Sequence, residues 1–272
     1  MKIRQIILLL VLLSMAFSAS ADDGIMRLHL IWTNDVHGHV APEEARFMNP
    51  AFPPPLGGGA SSATYVKSVR ALAQAEGGDI LILDAGDTFQ GTPVGTKTQG
   101  RAMTAYFNEL GYDAIVPGNH EFDLGREIPE RMANNSDMPW ICANLREEST
   151  GEIVDWCQPT IMLEKAGMKI GIIGIITPGT VHMAFPDNIA GLIFDPMKPA
   201  IEKYRDELRS QGAEIVVLLI HEGLPFDAKA GWAQIASEEA QTSQDAQGGG
   251  YGHVKSGGMN LMELMHVTHG ID

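Results

Sequence analysis

Six polar residues with metal-binding side chains follow short apolar runs at four separate places in this sequence. They are Asp35, His37, Asp87, Asn119, His120 and His221. Carboxylates, imidazoles and amide oxygens are hard-to-borderline ligands that suit zinc, manganese or iron. Each residue alone has a structural explanation, such as a turn cap or a hydrogen-bonded buried histidine. Their recurrence after four apolar runs favours one shared site.

The heptad at residues 117–123, Pro-Gly-Asn-His-Glu-Phe-Asp, has the most informative spacing. The amide oxygen of Asn119 can bind a metal, and the imidazole of His120 can face a substrate. Asp123 lies three residues further on, close enough to accept the other ring N–H of His120 and fix its tautomer. The heptad could also be a polar strand-to-helix loop without chemistry.

Alternating apolar patterns predict the elements that position these residues. Strands are predicted at 27–32, 79–84, 114–116, 137–143, 161–165, 169–176 and 214–220. Helices are predicted at 61–75 (capped by Ser61 or Ser62), 100–110, 124–134, 199–210, 228–240 and 259–267, and loops at 42–59 and 241–258. Strands that alternate with helices indicate the α/β class, in which ligands bind beyond the carboxyl ends of the strands.

The first 21 residues have the pattern of a secretory signal. Lys2 and Arg4 precede an apolar run at 6–17, and Ser18-Ala19-Ser20-Ala21 matches a cleavage region. The run is too short for a membrane anchor, which needs about 20 apolar residues. We therefore expect a domain at 22–272 that is secreted or periplasmic, without a membrane span once the signal is removed.

The net charge limits the classes of function, and the two cysteines allow two states. The formal net charge is −15, which argues against binding a nucleic acid polymer. An anionic substrate would then need local positive charge, which bound metal ions can provide. Cys142 and Cys157 could form a bridge after export, or remain buried free thiols.

Several ordered motifs resemble those of the calcineurin-like metallophosphoesterases. They are Thr33-Asn34-Asp35-Val36-His37-Gly38, Gly86-Asp87-Thr88-Phe89-Gln90-Gly91, Gly118-Asn119-His120-Glu121-Phe122-Asp123 and His221. The match extends over about residues 27 to 225 and is most similar to the exported 5′-nucleotidase/2′,3′-cyclic phosphodiesterase branch. The resemblance implies a double β-sheet sandwich flanked by helices in the order α-β-β-α.

The resemblance also implies roles for the polar residues at a site for two divalent metal ions, such as zinc or manganese. Asp35 and His37 would bind the first metal, Asn119 and His221 the second, and Asp87 would bridge the two. A hydroxide between the metals would attack phosphorus. The catalytic pair would be His120, oriented by Asp123, which would contact the phosphoryl group and stabilise charge on the leaving oxygen.

The sequence departs from the family pattern after His269-Gly270-Ile271-Asp272, where a Gly-His-x-His motif would complete both metal sites. His253, His266 and His269 do not stand in that pattern. We therefore expect a partial catalytic domain, incomplete at its C-terminus and lacking the second, nucleotide-specificity domain.

The expected activity is hydrolysis of nucleoside monophosphates or related small phosphoesters. The alternatives are cyclic nucleotides, nucleotide-sugars or sulfur esters as substrates, or a non-catalytic metal- or ligand-binding protein. The native metal and the oligomeric state stay open.

Overall fold

A computed structural model describes residues 25–224, 229, 232–233 and 261–272 of the chain. Its strands are β1 (Leu28–Thr33), β2 (Glu43–Glu44), β3 (Pro55–Leu56), β4 (Asp79–Asp84), β5 (Ala114–Ile115), β6 (Leu145–Glu147), β7 (Thr160–Lys165), β8 (Met168–Ile176), β9 (Leu192–Phe194) and β10 (Ile215–His221). Its helices are α1 (Gly58–Ala75), α2 (Pro93–Thr98), α3 (Arg101–Leu110), α4 (Glu127–Asn134), α5 (Thr180–Met183), α6 (Met197–Ser210) and α7 (Leu261–Val267). Two 3₁₀ turns lie at Asn119–Phe122 and Pro186–Ile189.

Two three-stranded sheets form the centre of the fold. The first has the order β1-β4-β5 and is parallel throughout, with Leu28 opposite Asp79 and Leu83 opposite Ala114. The second has the order β10-β8-β7, in which β10 is parallel and β7 antiparallel to β8. Two small antiparallel pairs, β2-β3 and β6-β9, are added at the periphery.

The two sheets pack face to face and are covered by helices on their outer faces. Leu81 and Leu83 of β4 share one core with Ile170 and Ile172 of β8, so this core lies between the sheets. The alternate residues of β4, at 80 and 82, pack in a second core with side chains from α1, α3 and α4. The outward face of β8 and the buried side of α6 form a third core. The predicted α-β-β-α sandwich is therefore confirmed, and burial on both faces explains the continuous apolar run of β4.

The predicted strand at 137–143 is wrong. Trp140 makes a single bridge to Ile115 in the first sheet, and Ile141 makes one to Gln158. The N–H of Cys142 donates to the carbonyl oxygen of Gln158, and that of Ala143 to the carbonyl oxygen of Gly174 in the second sheet (both 2.7 Å). The segment crosses from one sheet to the other and changes partner at almost every residue, so no continuous ladder forms.

Some predicted boundaries were also wrong. Helix α1 begins at Gly58, so Ser61 and Ser62 lie inside it instead of capping it. Helix α4 begins at Glu127, because Gly125 has a left-handed backbone (φ 114°) and interrupts the predicted helix. The loop predicted at 42–59 contains the β2-β3 pair. The helix predicted at 228–240, apart from residues 229 and 232–233, and the loop at 241–258 lie outside the described residues.

Two further expectations can be compared with the structure. Both cysteines are buried free thiols. Within the described residues, no helix combines the length and the apolar character that a membrane crossing requires.

Candidate metal centre

The loops that follow β1, β4, β5 and β10 meet at one edge of the sandwich. The strands of the first sheet are parallel, so their carboxyl ends lie side by side, and β10 of the second sheet ends beside them. The loop after β1 is held to the loop after β4 by the N–H groups of Asp35 and His37, which donate to the carbonyls of Gly86 and Asp87 (both 3.0 Å). The topology therefore brings distant polar groups together without help from side chains.

Asp87 lies at the centre of this edge and is buried. Its Oδ2 lies 3.4 Å from Nε2 of His221 and 3.9 Å from Nε2 of His37. Nε2 of His37 is also 3.7 Å from Oδ1 of Asp35, and Nε2 of His221 is 3.1 Å from Oδ1 of Asn119. The structure thus gathers all five sequence-predicted metal ligands around one carboxylate.

Both histidines are oriented by the backbone. Nδ1 of His37 lies 2.7 Å from the carbonyl oxygen of Gln90, and Nδ1 of His221 lies 2.7 Å from that of Ala85. A carbonyl oxygen only accepts hydrogen bonds, so each Nδ1 carries a proton, and each Nε2 of the neutral ring presents a lone pair to the centre. This is the arrangement that metal-ligating histidines adopt.

The donor set fits a divalent cation. Ligand atoms of Asp35, Asp87 and His221 all lie within 4.8 Å of one another. With Nδ1 protonated, Nε2 of His221 faces only acceptor atoms, those of Asp87 and Asn119, so either a proton or a cation must lie between them. Burial lowers the pKa of His221, but the hydrogen bond to Asp87, the negative charge of Asp87 and the hydrogen bond to the Ala85 carbonyl together raise that pKa to about 9. Burial likewise raises the pKa of Asp87, yet the hydrogen bond and charge of His221 hold it below its usual value.

Backbone strain is concentrated at the same place. Asp35, His37 and Asp87 have left-handed backbones, with φ of 51°, 48° and 57°. This conformation costs a non-glycine residue about 1–2 kcal/mol. The loop-to-loop hydrogen bonds hold the three residues there, which aims their side chains at a common point.

His120 and Asp123 form the predicted pair beside the cluster. Nδ1 of His120 lies 2.8 Å from Oδ2 of Asp123, and the backbone N–H of His120 donates to Oδ1 of Asp87 (2.8 Å). The ring of His120 lies 5.3 Å from that of His37, in an edge-on arrangement. Burial lowers the pKa of His120, but the hydrogen bond to Asp123 and the nearby carboxylates raise it above its usual value.

Sequence reasoning gave no role to two buried carboxyl groups at the site. Glu121 is fully buried and accepts hydrogen bonds from the loop that holds Asp87. Asp84, at the end of β4, accepts hydrogen bonds from the Thr33 hydroxyl (2.5 Å) and the Gly86 N–H (2.9 Å). Both lie within three residues of a candidate ligand in the sequence, but residue type and spacing do not distinguish a buried acid from an exposed one.

A cavity of about 530 Å³ opens beside the cluster. Its lining includes Asp35 and His221 together with the apolar side chains of Trp32, Leu224 and Leu261. This volume lies within the range of small-molecule sites. A small ligand can therefore reach the candidate ligands from this side.

The β sandwich and the cluster of carboxylates, imidazoles and an amide are features typical of metal-dependent phosphoesterases. The sequence agrees with this class over most of its length, because residues 28–251 match the calcineurin-like phosphoesterase family. The chain belongs to the calcineurin-like phosphoesterase family.

Individual relatives carry the name 5′-nucleotidase. The chain is 30% identical over 212 residues to a 5′-nucleotidase of Vibrio vulnificus, covering 78% of this chain and 36% of the relative. The 5′-nucleotidase precursor of Thermus thermophilus superposes with a TM-score of 0.64 at 30% identity, covering 71% of this chain and 37% of that structure. The sulfate thiohydrolase SoxB of Thermus thermophilus shares the fold (TM-score 0.66, 21% identity, 73% of this chain and 44% of that one). The chain spans about a third of the length of the 5′-nucleotidases that it matches.

Proposed function

We propose that this protein is an exported 5′-nucleotidase that hydrolyses nucleoside monophosphates, or closely related phosphoesters, with two divalent metal ions such as zinc or manganese. The observation that supports it most strongly is the convergence of four other candidate ligands around Asp87, with both imidazoles held by backbone carbonyls. The match to 5′-nucleotidases supports the substrate class.

In this proposal Asp35 and His37 hold one metal, and Asn119 and His221 hold the other. Asp87 would serve both, because its Oδ2 lies 3.9 Å from Nε2 of His37 and 3.4 Å from Nε2 of His221. When bound, a metal pair lowers the pKa of water and neutralises the charge of a phosphoryl group. Such positive charge is needed here, since the chain carries a formal net charge of −15.

His120 contacts the phosphoryl group and donates a proton from Nε2 toward the leaving oxygen. Asp123 accepts from Nδ1, so it holds the ring in one orientation and stabilises its protonated form. The raised pKa of His120 supports this role, because it favours the protonated ring that donates.

The same proposal includes export. Residues 1–21 are a signal that is removed, and the mature protein, beginning at residue 22, acts in the periplasm or outside the cell. Mass spectrometry of the protein purified from its own cells tests this, since a mature N-terminus near Asp22 is expected.

The function is tested by Asp87→Asn, with Asp113→Asn as the matched control. Asp113 also accepts a backbone N–H, that of Ile82 (2.8 Å), but it lies at the opposite end of β5. Elemental analysis and hydrolysis of AMP and of an aryl phosphate are measured for each variant. We expect Asp87→Asn to lose both metals and activity, and Asp113→Asn to keep both.

Two outcomes would contradict the proposal. Two metals per chain with near-normal turnover in Asp87→Asn would exclude the bridging role. Metal binding by the wild-type protein without hydrolysis of either ester would indicate a non-catalytic metal-binding protein.

A further inference from the structure

Glu121 connects the two loops that carry the candidate ligands. Its Oε2 accepts the backbone N–H groups of Asp87 (2.8 Å) and Gly118 (2.7 Å). Its Oε1 accepts both the backbone N–H (2.7 Å) and the hydroxyl (2.8 Å) of Thr88. One carboxylate therefore receives four hydrogen bonds, three from the loop after β4 and one from the loop after β5.

These contacts exclude two other roles for Glu121. The side chain is fully buried, so it cannot exchange protons with a bound substrate. Both of its oxygens are directed at N–H and O–H donors of the loops, which leaves neither of them facing the ligand cluster. Glu121 is thus neither a metal ligand nor an acid–base group.

The loops that Glu121 connects are strained and closely packed. Asp87 has a left-handed backbone (φ 57°), and a Cβ atom at Gly118 would lie only 2.2 Å from Oδ1 of Asp87. Thr88 extends the connection to the third loop, because its carbonyl accepts the N–H of Gly38, the residue after His37 (2.8 Å). The Glu121 carboxylate offsets the desolvation of N–H groups that this close approach removes from water.

We propose that Glu121 is a positioning residue that fixes Asp87 relative to Asn119 and His37, and thereby sets the affinity and spacing of the two metals. The inference rests on the proposed metal site. Glutamine cannot replace Glu121. In one orientation of its amide, the NH₂ group would face the N–H donors of Asp87 and Gly118, and in the other it would face the N–H donor of Thr88. Glu121→Gln therefore keeps the side-chain volume but loses one of the two acceptor oxygens.

The test is a titration of the purified metal-free protein with Mn²⁺, followed by electron paramagnetic resonance. The loss of the free-ion signal gives the affinity, and an exchange-coupled signal reports a close metal pair. We expect Glu121→Gln to bind Mn²⁺ about 10- to 100-fold more weakly than the wild type and to lose the coupled signal. Thr88→Val, which removes one of the four hydrogen bonds, should weaken binding less. Asp113→Asn is the matched control and should bind like the wild type.

Each result supports or overturns the proposal. Circular dichroism establishes which metal-free variants are folded. A folded Glu121→Gln with wild-type affinity and an intact coupled signal overturns the positioning role. If Glu121→Gln does not fold, Thr88→Val decides, and wild-type binding by Thr88→Val overturns the role. If the wild-type protein itself shows no coupled Mn²⁺ pair, the proposed two-metal function fails instead, which the wild-type titration alone reveals.

Discussion

Several side chains around Asp87 are charged, although burial alone would disfavour their charged forms. Asp87 and His221 are both buried or half-buried, and each holds the other in its charged form. His120 lies beside this pair. Its Nδ1 is hydrogen-bonded to Asp123, and its backbone N–H donates to Asp87. The individual side chains therefore have separable tasks, which single substitutions can distinguish.

His120→Ala should lower kcat by about 10²- to 10⁴-fold while the metal content stays at the wild-type level. The reason is that the imidazole acts on the phosphoryl group and is not among the proposed ligands. Steady-state kinetics and elemental analysis of the same preparation check this. Loss of metal from His120→Ala would place His120 among the ligands.

Asp123→Asn should shift the pH profile. Burial lowers the pKa of His120, but Asp123 raises it by accepting a hydrogen bond from Nδ1. The acid form of His120 is required, so activity falls as the pH rises through this pKa. Without the carboxylate the pKa drops, and the alkaline limb of kcat/KM moves to lower pH. If the alkaline limb does not move, a group other than His120 must be responsible for it.

Asp84 makes the free energy of unfolding depend on pH. Burial raises the pKa of Asp84 from the usual 3.8 to about 8, although Thr33 and Gly86 donate hydrogen bonds to it. Between these two values the folded state binds more protons than the unfolded state. The contribution of Asp84 to stability is therefore present below pH 4 and lost as the pH rises toward 8.

Asp84→Asn should remove this dependence, because the amide keeps an acceptor for Gly86 and has no proton to lose. Each unit of difference between the folded-state and unfolded-state pKa changes the free energy of unfolding by about 1.4 kcal/mol. Asp84→Asn should therefore gain stability over the wild type as the pH rises from 4 to 8. Urea unfolding of the metal-free proteins at several pH values measures the difference. Parallel pH curves for the two proteins would contradict the assignment.

At the scale of elements, the contact between the sheets depends on the segment at 140–143 that crosses from one to the other. Its residue Ile141 passes directly over β8 at Gly174, where an added Cβ atom would lie 2.2 Å from the carbonyl oxygen of Ile141. The N–H of Ala143 donates to the carbonyl of Gly174 at the same place. A strand with a side chain at position 174 could not accept this crossing.

Gly174→Ala should therefore destabilise the protein by about 1–3 kcal/mol, the usual cost of overpacking. Gly223→Ala is the control, since an added Cβ atom there meets nothing within 4 Å. Denaturant unfolding compares the two variants with the wild type. Equal stability of both variants would show that the crossing segment moves aside without cost.

In the molecule as a whole, the proposed metal site joins both sheets, because Asp35, Asp87 and Asn119 follow strands of the first sheet and His221 ends β10 of the second. A metal bound there should stabilise the entire sandwich. At a free metal concentration of 100 times Kd, the stabilisation is about 2.7 kcal/mol.

Thermal unfolding with and without Mn²⁺ should therefore show a rise in Tm of about 5–10 °C for a domain of this size. EDTA should reverse the rise, and Asp87→Asn should show little of it. An equal rise in Asp87→Asn would mean that the metal binds elsewhere on the acidic surface.

Most of the central strands and the candidate ligands could be predicted from the sequence alone. The strand predicted at 79–84 is β4 without any change. The candidate ligands Asp35 and Asp87 follow strands as predicted, and His221 is the last residue of β10. Both results depend on local patterns, because apolar periodicity and residue type within a few positions specify a strand and its polar end.

Only the tertiary structure decided which groups are buried and what they contact. The partners of Glu121 at 87 and 88 lie more than 30 residues away in the chain, and Nδ1 of His221 meets Ala85, 136 residues away. The crossing at 140–143 likewise looks like any other apolar strand until two sheets pack around it. Such contacts arise from long-range packing of the two sheets, and a local pattern of residues does not specify that packing.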